Sequence, residues 1–284
     1  EFQYFNRADF PSEEELFDKY KDVVEVMGPK PVTIRTLDIN GDKALTNQFN
    51  SEETNPALGL RAIRYCLKKP QVFKEQLRAI LRAAAYGNVR ILFPMISTYF
   101  ELCEATRMLD EAAESLEKDG LPYKRDIQIG AMIEVPSAAY IISELARRVD
   151  FFSIGTNDLT QYLLAVDRGN PLVQGRHDNL HPAVVHFVGD IVQRAHRQNK
   201  PVGVCGEMAG DPASALLLIG LGVDSLSMTP SSLPRVKWTI RSFTMQQARG
   251  IAGKALKIDN EADTHRLLNR ALKAAGLNAL VREN

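Results

Sequence analysis

"FFSIGTNDLTQYLLAVDRGN", residues 151–170, reads as a buried strand that stops abruptly on polar residues. Phe151, Phe152 and Ile154 form a short apolar run, and Gly155, Thr156, Asn157 and Asp158 follow with nothing between. An apolar run of this length, ended by glycine, fits a strand covered on both faces, the kind that parallel sheets contain. In α/β proteins, ligands sit at the carboxyl ends of such strands. The stretch therefore predicts a parallel sheet and places Asn157 and Asp158 where a ligand would be met.

Working outward, the same pattern recurs. Short apolar runs lie at 31–39, 89–96, 127–135, 201–209 and 224–228, with a weaker one at 59–63 and a fragment of another in "EFQYF" at 1–5. Between them, residues 70–87, 98–120, 137–149, 181–199 and 211–222 carry apolar side chains at helical spacing, several opening on proline or closing on glycine. Parallel strands need crossovers of about a dozen residues, usually helices. Seven or eight such units predict an α/β fold of the (β/α)8 TIM-barrel type with its first strand truncated. No G-x-G-x-x-G follows the first strand, which argues against a dinucleotide-binding sheet. Residues 259–276 read as a charged surface helix.

Composition narrows the function. The 284 residues are 45% hydrophobic, enough for a substantial core, and one domain over 1–284 is expected. Thirty-five basic residues balance thirty-five acidic ones, so no global field favours nucleic acid or an anionic membrane. Cys66, Cys103 and Cys205 lack metal-ligand spacing, and no apolar segment reaches membrane length, which points to a reducing, cytoplasmic setting. The chain opens on Glu1-Phe2 rather than methionine and is expected to be a piece of a longer protein. His177, His181, His186 and His196 have no zinc-like spacing on one helical face and are read as solvated or locally bonded.

The strand ends collect chemistry. The 31–39 run offers Arg35, Asp38 and then Lys43; Arg61 and Arg64 follow the weak unit; Glu134 ends the 127–135 run, and Cys205 lies in the 201–209 run. Arginine forks match phosphate or carboxylate bidentately, so several of them suit a compact polyanion. Glu134 and Asp158 would supply the one or two carboxylates that magnesium asks of a protein. Plainer roles stay open at this point: Arg35 as an ion-pair partner of Asp38, Asp158 as a helix cap, Asp167-Arg168 as a surface pair, Cys205 as a small apolar core residue. Glu134, set between Ile133 and Val135, is the hardest to read as surface.

The segments "IRTLDINGDK", "NPALGLRAIR", "FPMI", "MIEVP", "FFSIGTNDLTQYLLAVDRGN", "HPAV" and "VCGEMAGDP", in this order, closely resemble the carboxyl-terminal phosphoenolpyruvate-binding domain of the Enzyme I family. These are the phosphoenolpyruvate–protein phosphotransferases of the bacterial sugar phosphotransferase system. The nitrogen-related paralogue, pyruvate phosphate dikinase and phosphoenolpyruvate synthase share parts of the pattern and stand as alternatives. The resemblance implies a homodimeric barrel that binds phosphoenolpyruvate with Mg2+ and releases pyruvate. It implies that Arg35, Arg61 and Arg168 contact the substrate, that Asn157 and Asp158 hold it, and that Lys43 adds charge. Glu134 and Asp158 would ligate the metal, and Cys205 would protonate the enol carbon. The phosphoryl-accepting histidine and the surface for a small histidine-containing phosphocarrier protein belong to an amino-terminal domain that this sequence does not include.

Overall fold

The computed structural model describes residues 4, 9–39 and 54–281. Ser12 opens the first helix, α1 (Glu13–Met27), through a reciprocal capping box. Its side chain accepts from Glu15 N, while the Glu15 carboxylate accepts from Ser12 N at 2.9 Å. Gly28, at φ 59°, ends it. The chain then runs through β1 (Val32–Arg35), α2 (Ala62–Lys68), α3 (Pro70–Ala83), β2 (Val89–Phe93), α4 (Tyr99–Lys118) and β3 (Gln128–Ile133). Next come α5 (Pro136–Tyr140), α6 (Ile142–Leu145), β4 (Phe151–Gly155), α7 (Thr156–Leu164), α8 (Pro182–Arg197) and β5 (Val202–Cys205). The last elements are α9 (Glu207–Gly210), α10 (Pro212–Leu221), β6 (Ser225–Ser227), α11 (Leu233–Ser242), α12 (Met245–Ala255) and α13 (Glu261–Ala274).

Two compact units result, Glu1–Met132 with Arg147–Asp150 and Ile133–Ala146 with Phe151–Asn284. In the first unit β1, β2 and β3 pair in parallel, with Val32 opposite Val89 and Arg90 opposite Gln128. α3 packs on α1 and α4, burying Phe73, Leu77, Ile80 and Leu81. The second unit repeats the arrangement with β4, β5 and β6, where Gly155 stands opposite Cys205 and Cys205 opposite Ser227. Every residue of β4 is buried, Ser153 included, as expected of a strand covered on both faces. A second apolar cluster joins Leu216 of α10, Ala248 of α12 and Leu272 of α13.

The α/β alternation stands, with six strands among the described residues rather than eight. The 59–63 segment is not a strand. Pro56–Leu58 makes a single 3-10 turn, and Ala62, Ile63, Tyr65 and Cys66 turn inward at helical spacing as α2. The 1–5 run lies outside the described residues except for Tyr4, which is buried. No helix among the described residues is long and apolar enough to cross a membrane.

Candidate active site

In the first unit the segment after β1 gathers around one carboxylate. Asp38 Oδ1 accepts from Arg61 Nε at 3.1 Å and from Arg61 Nη2 at 2.8 Å, and its Oδ2 accepts from Arg35 Nη1 at 3.0 Å. Asp38 and Arg61 are buried, whereas a third of the Arg35 side chain stays exposed. The backbone beside Asp38 is pinned: Leu37 N donates to Oε1 of the buried Gln76 at 2.9 Å. Asp38 thus neutralises and aims two guanidinium groups at once, and the ion-pair reading of Arg35 holds. Arg64 turns aside to donate to Leu58 O. Lys43 lies outside the described residues.

In the second unit α7 begins directly where β4 ends, so Thr156, Asn157 and Asp158 occupy its first turn, where a carboxylate also complements the helix dipole. Asp158 is buried and stands 3.5 Å from Arg168 Nη2. Arg168 reaches back because Ala165 ends the helix in the left-handed conformation, at φ 52°, and because Gln161 Oε1 accepts from Arg168 N at 3.1 Å. Asp167 instead accepts from Gly169 N in a local turn.

β5 delivers Cys205 beside this turn. Its Sγ donates to Ile154 O at 3.5 Å and accepts from Ser153 Oγ at 3.8 Å. Thr156 Oγ1 donates to Cys205 O at 3.1 Å, and Asn157 Oδ1 accepts from Glu207 N at 3.2 Å. Gly206 makes this approach feasible. It sits at φ +103°, and a Cβ there would come 2.9 Å from Thr156 Oγ1 and 3.0 Å from Asn157 Oδ1. The three thiols differ: Cys66 is sealed in the first unit, with burial first and Asp38 second pushing its pKa up, while Cys103 and Cys205 are partly exposed.

Glu134, directly after β3, is only 1% exposed. Like Asp158, it carries a carboxylate, the hard oxygen donor that a divalent cation takes. No cluster of three or more His, Cys, Asp or Glu gathers for a metal among the described residues. His177, His181 and His196 are engaged elsewhere, with Asn157 O, Ala183 N and Asp224 respectively. Thr156, Gln161 and His177 escaped the reading of the sequence because each acts by holding a neighbour's backbone, and such roles leave no spacing signature.

The chain is 42% identical over 278 residues to the phosphoenolpyruvate-protein phosphotransferase of Haemophilus influenzae, which covers 98% of the chain and 48% of the relative. It is 43% identical over 273 residues to that of Bacillus subtilis (96% and 48%) and 47% identical over 244 to that of Priestia megaterium (86% and 43%). The chain therefore spans about half the length of the curated relatives it matches. Among solved structures, a Haloferax volcanii malate synthase, in a lead(II) complex, superposes with a TM-score of 0.53 at 12% identity, covering 80% of this chain and 59% of that one, a likeness of fold alone. Residues 1–245, which carry both groups of strand-end residues, match the family described as "PEP-utilising enzyme, PEP-binding domain", and to that family the chain belongs.

Proposed function

We propose that this chain binds phosphoenolpyruvate together with Mg2+ and supports transfer of its phosphoryl group to a histidine on a separate domain, with release of pyruvate. In this reading Arg35, Arg61 and Arg168 bind the substrate's phosphate and carboxylate, Lys43 adds charge, and Asn157 with Asp158 holds the bound anion. Glu134 and Asp158 hold Mg2+, which when bound screens the charge that develops on the transferring phosphoryl oxygens. The protein's work is then positioning. Asp38 fixes the forks of Arg35 and Arg61, and Gln161 fixes the backbone of Arg168. The closed eight-stranded barrel and the cytoplasmic setting, expected from the strand–helix alternation and the cysteine usage, belong to the same reading, as do the homodimer and the downstream histidine-containing phosphocarrier that the resemblance implies.

The chemistry balances as follows. The P–O bond of phosphoenolpyruvate breaks as the acceptor histidine nitrogen forms its N–P bond, and the electron pair stays with the enolate oxygen. The enolate carbon takes the Cys205 thiol proton to give pyruvate, and solvent returns a proton to the sulfur. The observation that carries this role is the Cys205 hydrogen bond. Sγ donates its hydrogen to Ile154 O at 3.5 Å, the hydrogen that the enolate carbon would take, and Ser153 Oγ at 3.8 Å can donate to the thiolate left behind.

Pyruvate release from phosphoenolpyruvate, by this chain mixed with the remaining half of the Bacillus subtilis relative, tests the reading. Cys205→Ala should keep substrate affinity and slow pyruvate formation by about a hundredfold or more, the usual worth of general acid catalysis. Absence of pyruvate with the unsubstituted chain would refute the transfer, and an unslowed Cys205→Ala would refute the thiol's role.

A further inference from the structure

Residues 177–179 spend three consecutive side chains on three different anchors. His177 Nε2 lies 2.9 Å from Asn157 O; a carbonyl can only accept, so that nitrogen carries the hydrogen and donates into the first turn of α7. Asn179 Oδ1 accepts from Thr160 Oγ1, a fully buried hydroxyl one turn further along α7, at 2.6 Å. Asp178 points the other way. Its Oδ2 meets His265 Nε2 of α13 at 2.8 Å, and its Oδ1 accepts from Leu180 N at 2.8 Å. α13 is itself seated through Leu268 and Leu272, both fully buried, the latter in the cluster with α10 and α12.

We infer that His177-Asp178-Asn179 is a positioning strap tying the first turn of α7 to α13, so that His265, acting through Asp178, helps hold Asn157 in its binding pose. The inference rests on the reading of Asn157 as a substrate contact. The held residue already has its side chain committed at the other end: Asn157 Oδ1 accepts from Glu207 N at 3.2 Å. With backbone carbonyl and side-chain oxygen both fixed, the Asn157 amide nitrogen has one direction left to offer a bound anion. Slackening the strap frees the turn to rotate, and a misdirected donor costs affinity even where the fold is intact. α13 lies beyond residues 1–245, the part that matches the family model.

The test is calorimetric titration of the 284-residue chain with phosphoenolpyruvate and Mg2+ for His177→Ala, His177→Gln, His265→Ala, His265→Gln and the double alanine variant. Each alanine should weaken affinity by about three- to tenfold, the worth of one lost hydrogen bond. The glutamines, which keep a donor, should recover most of it. Because both histidines act through one strap, the two alanine losses should fall short of additive. His196→Ala serves as the control: it removes a comparable 2.8 Å pair with Asp224 in the same unit, and should lower the unfolding midpoint without changing affinity. Full additivity, glutamines no better than alanines, or affinity losses matched by His196→Ala would overturn the strap. If the unsubstituted chain binds no phosphoenolpyruvate, the substrate reading fails instead. Amide exchange at Glu207 then decides the strap alone, since His265→Ala should speed it and an unchanged rate would refute the coupling.

Discussion

Replacing Asp38 with alanine should be among the most damaging single changes in the first unit. One carboxylate, on a residue 8% exposed, receives Arg61 Nε and Nη2 at 3.1 and 2.8 Å and Arg35 Nη1 at 3.0 Å. The two arginines differ in how they would bear its loss. Arg35 retains 34% side-chain exposure and can turn to water, whereas Arg61 retains 5% and cannot. The cost is therefore that of taking this carboxylate from one buried guanidinium, about 3–5 kcal/mol. At about 2 °C per kcal/mol for a chain of this size, the midpoint of thermal unfolding should fall by about 6–10 °C. Asp38→Asn keeps the shape and should lose roughly half as much, since neutral hydrogen bonds are about half as strong as charge-assisted ones. The double variant Asp38→Leu, Arg61→Met removes both charges and should return to within about 2 °C of the parent. A drop below 2 °C for Asp38→Ala, or a double variant as unstable as the single, would refute the account of Arg61 as a cation dependent on this carboxylate.

Other expectations follow from single contacts. Gly220→Ala would place a Cβ 2.2 Å from Ala248 O and 2.7 Å from Ala248 C, backbone that cannot yield, so α10 and α12 must part at a cost of about 3 kcal/mol, read by denaturant unfolding; a loss under 1 kcal/mol would contradict that packing. Iodoacetamide at pH 8 should label Cys103 and Cys205 in the native chain and reach Cys66 only on unfolding, because burial raises its pKa; peptide mapping that finds Cys66 labelled as fast as the others would be contrary. For Asp178, burial alone would raise the carboxyl pKa, but the hydrogen bonds from His265 and Leu180 N, with the nearby His265 and His181, outweigh it and leave the pKa below the ordinary 3.8. A depressed acid contributes stability above its unfolded value and loses it as the pH falls through the folded one. Stability should thus decline below about pH 5 and most steeply under 3.8, and Asp178→Asn should flatten that decline; parallel curves would refute it.

Much of the fold was legible because its strands announce themselves. The run at 151–155 is buried end to end and became β4 residue for residue, and Glu134 proved as buried as its apolar neighbours implied. The helices opened by proline, at Pro70, Pro182 and Pro212, start where that residue says they should. What misled was 59–63, where Leu60, Ala62 and Ile63 mimic a strand in composition while Gly59 and the helical spacing of Ala62, Ile63, Tyr65 and Cys66 make a turn and then α2. α1 was missed because its charged face outweighs the buried Leu16, Phe17 and Val24, although its capping box at Ser12 and Glu15 was there to be read. Arg35, Glu134, Asn157, Asp158 and Cys205 stand at or just after strand ends, where the pattern pointed, whereas Arg61 caps α2 and Arg168 follows α7. Those that hold them, Gln76 on Leu37 N, Gln161 on Arg168 N and His177 on Asn157 O, bond to backbone across 39, 7 and 20 residues, distances no local periodicity encodes.

The most direct test of the central claim is calorimetric titration of the unsubstituted chain with phosphoenolpyruvate, first with Mg2+ and then with a chelator, alongside Glu134→Gln. Saturable binding that needs the metal, and that Glu134→Gln weakens by at least about tenfold without lowering the unfolding midpoint, is the expected result. Binding indifferent to chelator and to Glu134→Gln, or no binding at all, would contradict the assignment of this site.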